Sequence, residues 1–386
     1  ITQSKTELPK EFEGYYDTEQ YIKSKSYLKE STRFRMATDT VFTAVTVFFI
    51  IAGSFNFVDR LARSFGFGDI ITGLIFSGML LIAYDIVHIP FYAYATFVIE
   101  EKYGLNKTTL KTFILDLIKT LLLTAFIGGF VLSVLLWFFG KMGNQAWMYC
   151  WGATALFQVL LMYIAPVIIM PLFNKFLPME DGELKNEIMR YTHTQNFKIK
   201  GIFTMDGSRR SSKTNAFLTG IGRFRRIVLF DTLPIKHSLD ELLAILSHEI
   251  GHYKKKHIMQ SLALSIITSG IMFFTLSLLV NNPELFAAFR MEQTSIYASF
   301  FFFGFLYAPV EMVISIVGNI LSRKNEYEAD AYAVASCGQS EPMIVALKKL
   351  SVDNLSDLTP HPLKVFLTYS HPPALERIKR IRALVT

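Results

Sequence analysis

His248, Glu249 and His252 stand as His-Glu-x-x-His, a spacing that can do metal chemistry. On a helix the two histidines lie one turn apart. Both imidazoles then reach one Zn²⁺, and Glu249 projects beside them toward a water activated there. The chemistry on offer is metal-assisted hydrolysis with the glutamate as proton acceptor. A polar helix surface can carry the same letters, so the surroundings matter. Leu242, Leu243, Ile245 and Leu246 precede the pair and make one side of the helix apolar. Burying Glu249 there is expensive without a compensating cation or donor. Gly251 removes bulk beside the histidines, which would let a strand or a substrate backbone come close.

Two imidazoles do not complete a catalytic zinc site; a third protein ligand is usual. A continuation with Gly at 255 and His at 258 fails, because Lys255 and Ile258 stand there. His257 lies nine residues after His248, about 180° round a continuous helix, and is read as a surface or interface histidine. The charged run 322–330 offers Glu326 and Asp330, four apart on one helix face, with Ala329 and Ala333 small enough for close packing. Glu326 is the expected third ligand. Asp330 is expected behind it, fixing a ligand imidazole or a nearby donor. Glu328 points elsewhere, to solvent or a salt bridge. An ordinary charged helix is the rival reading of this run.

The elements that must position these residues are membrane spans. Hydrophobic residues make up 51 % of 386, with 35 Phe and 17 Tyr, against 18 % charged. Apolar stretches longer than the ~20 residues of a spanning helix lie near 38–58, 70–99, 112–139, 148–170, 261–280 and 294–320. Trp137, Trp147 and Trp151 sit near proposed ends, where such rings anchor a helix at the headgroups. A soluble all-helical core does not account for six such runs.

Charge gives an orientation. Residues 1–37, 100–111, 171–260 and the tail after 320 hold 34 of the 39 Lys and Arg, whereas the opposite loops hold Arg60, Arg63, Lys141 and Arg290. This asymmetry places the catalytic side in the cytoplasm and accounts for most of the formal charge of +7. Lys254, Lys255 and Lys256 read as an interfacial run, not as a nucleic-acid site. Cys150 and Cys337 are expected as free thiols. The chain begins at Ile1 and not Met, which suggests processing or truncation; no secretory signal is visible there.

The expected fold is mainly α, a polytopic membrane protein with a small α+β metallopeptidase domain. Residues 1–170 form an amphipathic N-terminal segment and four spans, and 171–260 a catalytic insert ending in the His-Glu-x-x-His helix. Residues 261–320 form a transmembrane hairpin, and 321–386 a second catalytic helix and tail. Strand-like pieces fall at 199–205 and 226–230.

The chain resembles the integral-membrane zinc metalloproteases that include the type I CAAX prenyl proteases, which are gluzincin-like. The likeness is carried by Val98-Ile-Glu-Glu-Lys-Tyr-Gly-Leu-Asn106, Arg210-Ser-Ser-Lys-Thr-Asn-Ala-Phe217 and Arg226-Ile-Val-Leu-Phe-Asp-Thr-Leu233. It continues through the zinc motif, Ser322-Arg-Lys-Asn-Glu-Tyr-Glu-Ala-Asp330 and Ser370-His-Pro-Pro-Ala-Leu-Glu-Arg377, in the family's order. The resemblance implies seven spans around a water-filled intramembrane chamber, with the family's first helix absent before Ile1. It implies one Zn²⁺ on His248, His252 and Glu326, and Glu249 as base. It also places Asn215, Ala216 and Phe217 along the substrate, and His371 and Arg377 near the reaction centre. Only 234–240 stands where eukaryotic members often carry a longer insertion, which points to a compact, bacterial relative.

The expected activity is zinc-dependent cleavage of membrane-associated peptides, near the C terminus of CaaX-type prenylated proteins or of related hydrophobic peptides. His371 is expected to stabilise the developing oxyanion with the metal, and the 215–217 segment to pair with peptide backbone by strand addition. Asp85, His88, Glu311 and Asn319 lie in or near spans and should face water or one another. Two readings compete: a quality-control protease without prenyl specificity, and a multispan transporter. The expected partners are lipidated or plain peptide and membrane lipids, with no obligate protein partner. The membrane is the bacterial plasma membrane, or that of the endoplasmic reticulum in a eukaryote.

Overall fold

A computed structural model describes residues 7–220 and 225–385 of the chain; residues 1–6 of the expected N-terminal unit lie outside the described residues. Among the described residues, six helices long and apolar enough to cross a membrane run Thr18–Ile51, Asp69–Glu100, Leu110–Lys141, Gly143–Phe173, His257–Ser277 and Ile296–Cys337.

Two of them depart from the expected bounds. Asp17 accepts from the Gln20 amide and caps the first helix well before its apolar part begins. That helix stops at Ile51, because Gly53 at φ 66° turns the chain into the short amphipathic helix Ser54–Ser64. The last span does not end near residue 320. It runs on to Cys337 with Pro309 inside it, so Glu326 rides on a spanning helix and not on a separate one.

The spans pack most closely at the end away from the catalytic residues. There Phe55, Phe76, Leu136, Phe286 and Phe302 are buried together, and Asp59 is held by Arg63 at 2.8 Å and by the Tyr297 hydroxyl. Farther along, Val45, Ile82, Ile86, Leu122, Phe126, Leu160, Val313 and Val317 are exposed, as apolar residues on spanning helices can be against lipid. Of the polar residues there, Glu311 is exposed, while Asp85 and His88 are half-buried. The Tyr84 ring stacks on His88, and Asn319 donates to the Leu367 carbonyl at 3.2 Å.

The catalytic unit is built on a four-stranded sheet: β1 Phe176–Pro178, β2 Gly201–Met205, β3 Ala216–Thr219 and β4 Arg226–Phe230, in the order β1-β2-β4-β3. β4 pairs parallel to β2 and antiparallel to β3, with Ala216 opposite Leu229. Ile227, Val228 and Leu229 are all buried, the continuous apolar run of a strand covered on both faces. β3 is therefore an edge strand.

Two of the segments quoted above meet where spans and sheet join. Arg210 grips Asp116 through Nε at 2.8 Å and Nη2 at 3.0 Å, and donates to the Phe173 carbonyl at 2.6 Å. Its own carbonyl accepts from the Lys107 amide at 3.0 Å, and the Ser212 amide donates to the Leu105 carbonyl. The segment leading to β3 is thus bolted to the third and fourth spans and to the loop between the second and third. The N-terminal segment closes the other side: Phe12, Tyr16 and Tyr21 share a core with Ile344, Leu347, Ile378 and Ile381.

Candidate active site

The helix Leu239–Lys254 carries both histidines. Ser238 and Glu241 cap its start reciprocally, satisfying amide donors that the first turn leaves free. Leu242, Ile245 and Leu246 anchor it on the sheet beside Ile227 and Leu229. Its other side lies on the Ile296–Cys337 helix, and the contact is very close at Gly251. What approaches the glycine is Ala329 of that helix and Tyr332, and not the strand or substrate backbone expected from the sequence.

This crossing brings the expected ligands together. His248 Nε2 and His252 Nε2 lie 3.1 Å apart, with Glu326 Oε1 3.2 Å from His252 Nε2 and Oε2 3.5 Å from His248 Nε2. One ligand atom from each residue falls within 4.8 Å of the others, which suits one divalent metal ion. Glu326 Oε2 supplies an independent sign. It is buried without a hydrogen-bond donor, although Arg377 Nη1 stands 3.2 Å away. Arg377 balances its charge, but the oxygen accepts no hydrogen bond and keeps a lone pair for a metal ion. Two imidazoles and a carboxylate with an open side form a hydrolytic donor set.

Around this centre the remaining residues take definite places. Asp330 Oδ1 lies 2.9 Å from His248 Nδ1 and leaves Nε2 toward the ligand group, as expected for a residue that fixes a ligand imidazole. Arg377, 9 % exposed, donates to Asp330 through Nε at 2.8 Å and Nη2 at 2.6 Å, joining it to Glu326. In the metal-free site burial disfavours a charged His248, but Asp330 and Glu326 outweigh it and push its pKa up to about 9. Burial also raises the Glu249 carboxyl, against the lowering influence of His248 and His252. His371 Nε2 is 3.3 Å from Glu326 Oε1, and Ser370 Oγ is 2.9 Å from its Nδ1.

A cavity of about 1190 Å³ opens onto the site. His248, Glu249, His252, Glu326, His371 and Arg377 line it, together with Asn215, Ala216 and Leu218 of the β3 segment. The Phe217 side chain is outside this lining. Alternation along β3 turns it away, and its ring meets Phe230 edge-on at 6.4 Å.

His257 is where the sequence reading failed. The zinc-motif helix does not continue into the fifth span: Lys256 at φ 60° breaks it, and His257 starts a new helix. The turn brings His257 back, buried, with Nδ1 3.1 Å from His252 Nδ1. Its Nε2 lies 3.2 Å from Glu328 Oε2, within hydrogen-bond distance. Lysine carries no breaker signal, so nothing in the letters marks this turn.

Spans, sheet and donor set together define a membrane-embedded metallopeptidase. Residues 1–175 match the family described as CAAX prenyl protease N-terminal, five membrane helices, and residues 178–385 match peptidase family M48. The chain belongs to the CAAX prenyl protease family of integral-membrane zinc metalloproteases, and is a zinc metalloendopeptidase. It is 34 % identical to CAAX prenyl protease 1 of Saccharomyces cerevisiae over 97 % of this chain and 88 % of that protein. With the CAAX prenyl protease 1 homolog of Homo sapiens the identity is 30 % over 100 % and 90 %. The crystal structure of S. mikatae Ste24p superposes with a TM-score of 0.93 at 34 % identity, covering 98 % of this chain and 92 % of that one. Membership of an enzyme family sets aside the transporter reading.

Proposed function

We propose that the protein cleaves peptide bonds near the C terminus of CaaX-type prenylated proteins, or of related hydrophobic membrane-associated peptides. The observation that carries this reading is one cavity in which the His248, His252 and Glu326 cluster faces the free edge of β3. His248, His252 and Glu326 would hold one Zn²⁺. When bound, that ion supplies Lewis acidity, polarising the scissile carbonyl and making water more acidic. Glu249 takes the proton of the attacking water and returns it to the leaving amine; its raised pKa suits a group that does both. With Ser370 Oγ as donor to His371 Nδ1, the ring proton would sit on Nε2, beside Glu326 Oε1 at the reaction centre, where it could stabilise an oxyanion. Arg377 keeps Asp330 and Glu326 in place.

The substrate lies extended along Asn215, Ala216 and Phe217, adding a strand to the edge of β3. Such pairing reads backbone, so selectivity falls to the membrane-spanning part beside the site, which would take a lipid or apolar end. The N-terminal core contact with the C-terminal helices fits a shared cytoplasmic side for 7–37, 171–260 and the tail. The relatives named above are eukaryotic, which favours the endoplasmic reticulum over a bacterial plasma membrane.

Digestion of matched farnesylated and unlipidated peptide libraries by the purified protein, read by mass spectrometry, tests the reading. Preferential cleavage of the lipidated set near the C terminus supports it. Equal cleavage of both sets replaces it with quality-control proteolysis, and absence of cleavage overturns it.

A further inference from the structure

We propose that His257 is a positioning residue for the metal site: with Glu328 it forms a hydrogen-bonded relay that fixes the His252 imidazole from behind. The proposal rests on the reading that His252 Nε2 is a metal ligand. Its geometry is independent of that reading. His257 Nε2 lies 3.2 Å from Glu328 Oε2, and His257 Nδ1 lies 3.1 Å from His252 Nδ1. The two rings meet edge-on, 5.1 Å between centroids at 76°. His257 is 3 % exposed, although it starts a helix at the foot of a membrane span.

The donors and acceptors admit a consistent arrangement. An ionised carboxylate only accepts, so the Glu328 contact places a proton on His257 Nε2. A neutral His257 then presents an unprotonated Nδ1 toward His252, and His252 Nδ1 must donate. That leaves the lone pair of His252 on Nε2, the atom 3.1 Å from His248 Nε2 and 3.2 Å from Glu326. The same logic runs through His248, whose Nδ1 meets Asp330 directly. Each ligand imidazole is thus backed by a carboxylate, one in contact and one through an intervening ring. Asp330 and Glu328 sit on the helix that carries Glu326. One helix therefore supplies one ligand and orients the other two. The Lys256 turn makes the second limb possible, because a continuous helix would carry His257 to the far side.

The test is zinc affinity of the full-length protein in detergent, measured by competition with a chelator. His257→Phe keeps the ring volume and removes both nitrogens; it should weaken zinc binding about 10–100-fold. His257→Asn should recover most of that loss, because its amide oxygen can accept where Nδ1 did. Glu328→Ala should weaken binding less, and should have no effect in the His257→Phe background. Unchanged affinity in folded His257→Phe, an Asn variant no better than Phe, or a Glu328→Ala effect that persists without His257 would each overturn the relay. If the His257 variants do not fold, Glu328→Ala, at a partly exposed position, decides by itself: unchanged affinity sinks the idea. His252→Ala separates the two readings. Wild-type zinc affinity there refutes the ligand assignment, whereas loss there with unchanged His257 variants refutes only the relay.

Discussion

Gly251 lies so near Ala329 that a Cβ on the glycine would meet the Ala329 Cα and carbonyl oxygen at 3.2 Å. Backbone is on the receiving side, so relief requires moving a helix. Gly251→Val should push the zinc-motif helix from the Glu326 helix, weaken zinc binding and destabilise the fold by about 1–3 kcal/mol. Thermal unfolding and chelator competition on the same sample check both. Undiminished zinc affinity would show that the crossing does not set the ligand distances.

Glu249→Gln keeps all three ligand candidates and removes the proton acceptor. The variant should load zinc normally and bind peptide, with single-turnover hydrolysis reduced about 10²–10⁴-fold. Near-normal cleavage by the zinc-loaded variant would remove Glu249 from the mechanism.

Glu326→Gln should fail differently. A neutral amide oxygen is a poorer donor to a cation, and Arg377 loses one of its two counter-charges, so zinc content should fall before turnover per bound ion does. Metal analysis alongside turnover distinguishes this from loss of the base. Full zinc occupancy in the folded variant would contradict the ligand assignment.

Zinc uptake should depend on pH with a definite sign. The His248 pKa of about 9 in the metal-free site means that its proton must leave before Nε2 can ligate. Apparent affinity should rise up to about tenfold per pH unit toward about 9 and flatten above it, with about one proton released from His248 per ion near neutrality. Calorimetry in buffers of different ionisation enthalpy measures that release. Uptake with no proton release would mean that His248 is already neutral.

Topology is tested by single cysteines placed near Lys185 in the catalytic insert and near Lys379 in the C-terminal tail. Both should label from the cytoplasmic face of sealed vesicles, as the Lys and Arg distribution implies. Labelling from opposite faces would rule the arrangement out.

What was legible in the sequence follows from how local each signal is. The six apolar runs and the His248–His252 spacing are carried by neighbouring letters; six spans and the histidine pair are found, with the first and last spans shifted or extended beyond the apolar letters. Glu326 was reachable because one helix face holds it with Asp330. The left-handed turn at Lys256 was not, since lysine reads as helix and carries no turn signal. Arg377 was visible only through family likeness. Its partners are about fifty residues away in sequence, and no spacing rule links them.

The helix Ile296–Cys337 also has a mechanical meaning. It spans roughly 60 Å at 1.5 Å per residue, about twice the hydrocarbon thickness of a bilayer. Pro309 deletes one of its internal hydrogen bonds and concentrates bending there. A bend of about 5° at Pro309 would swing Glu326, some 25 Å beyond, by about 2 Å. That displacement equals a metal–ligand bond length. An arm of that length keeps its ligand in register only if its far end is pinned, which the contact of Ala329 with Gly251 does.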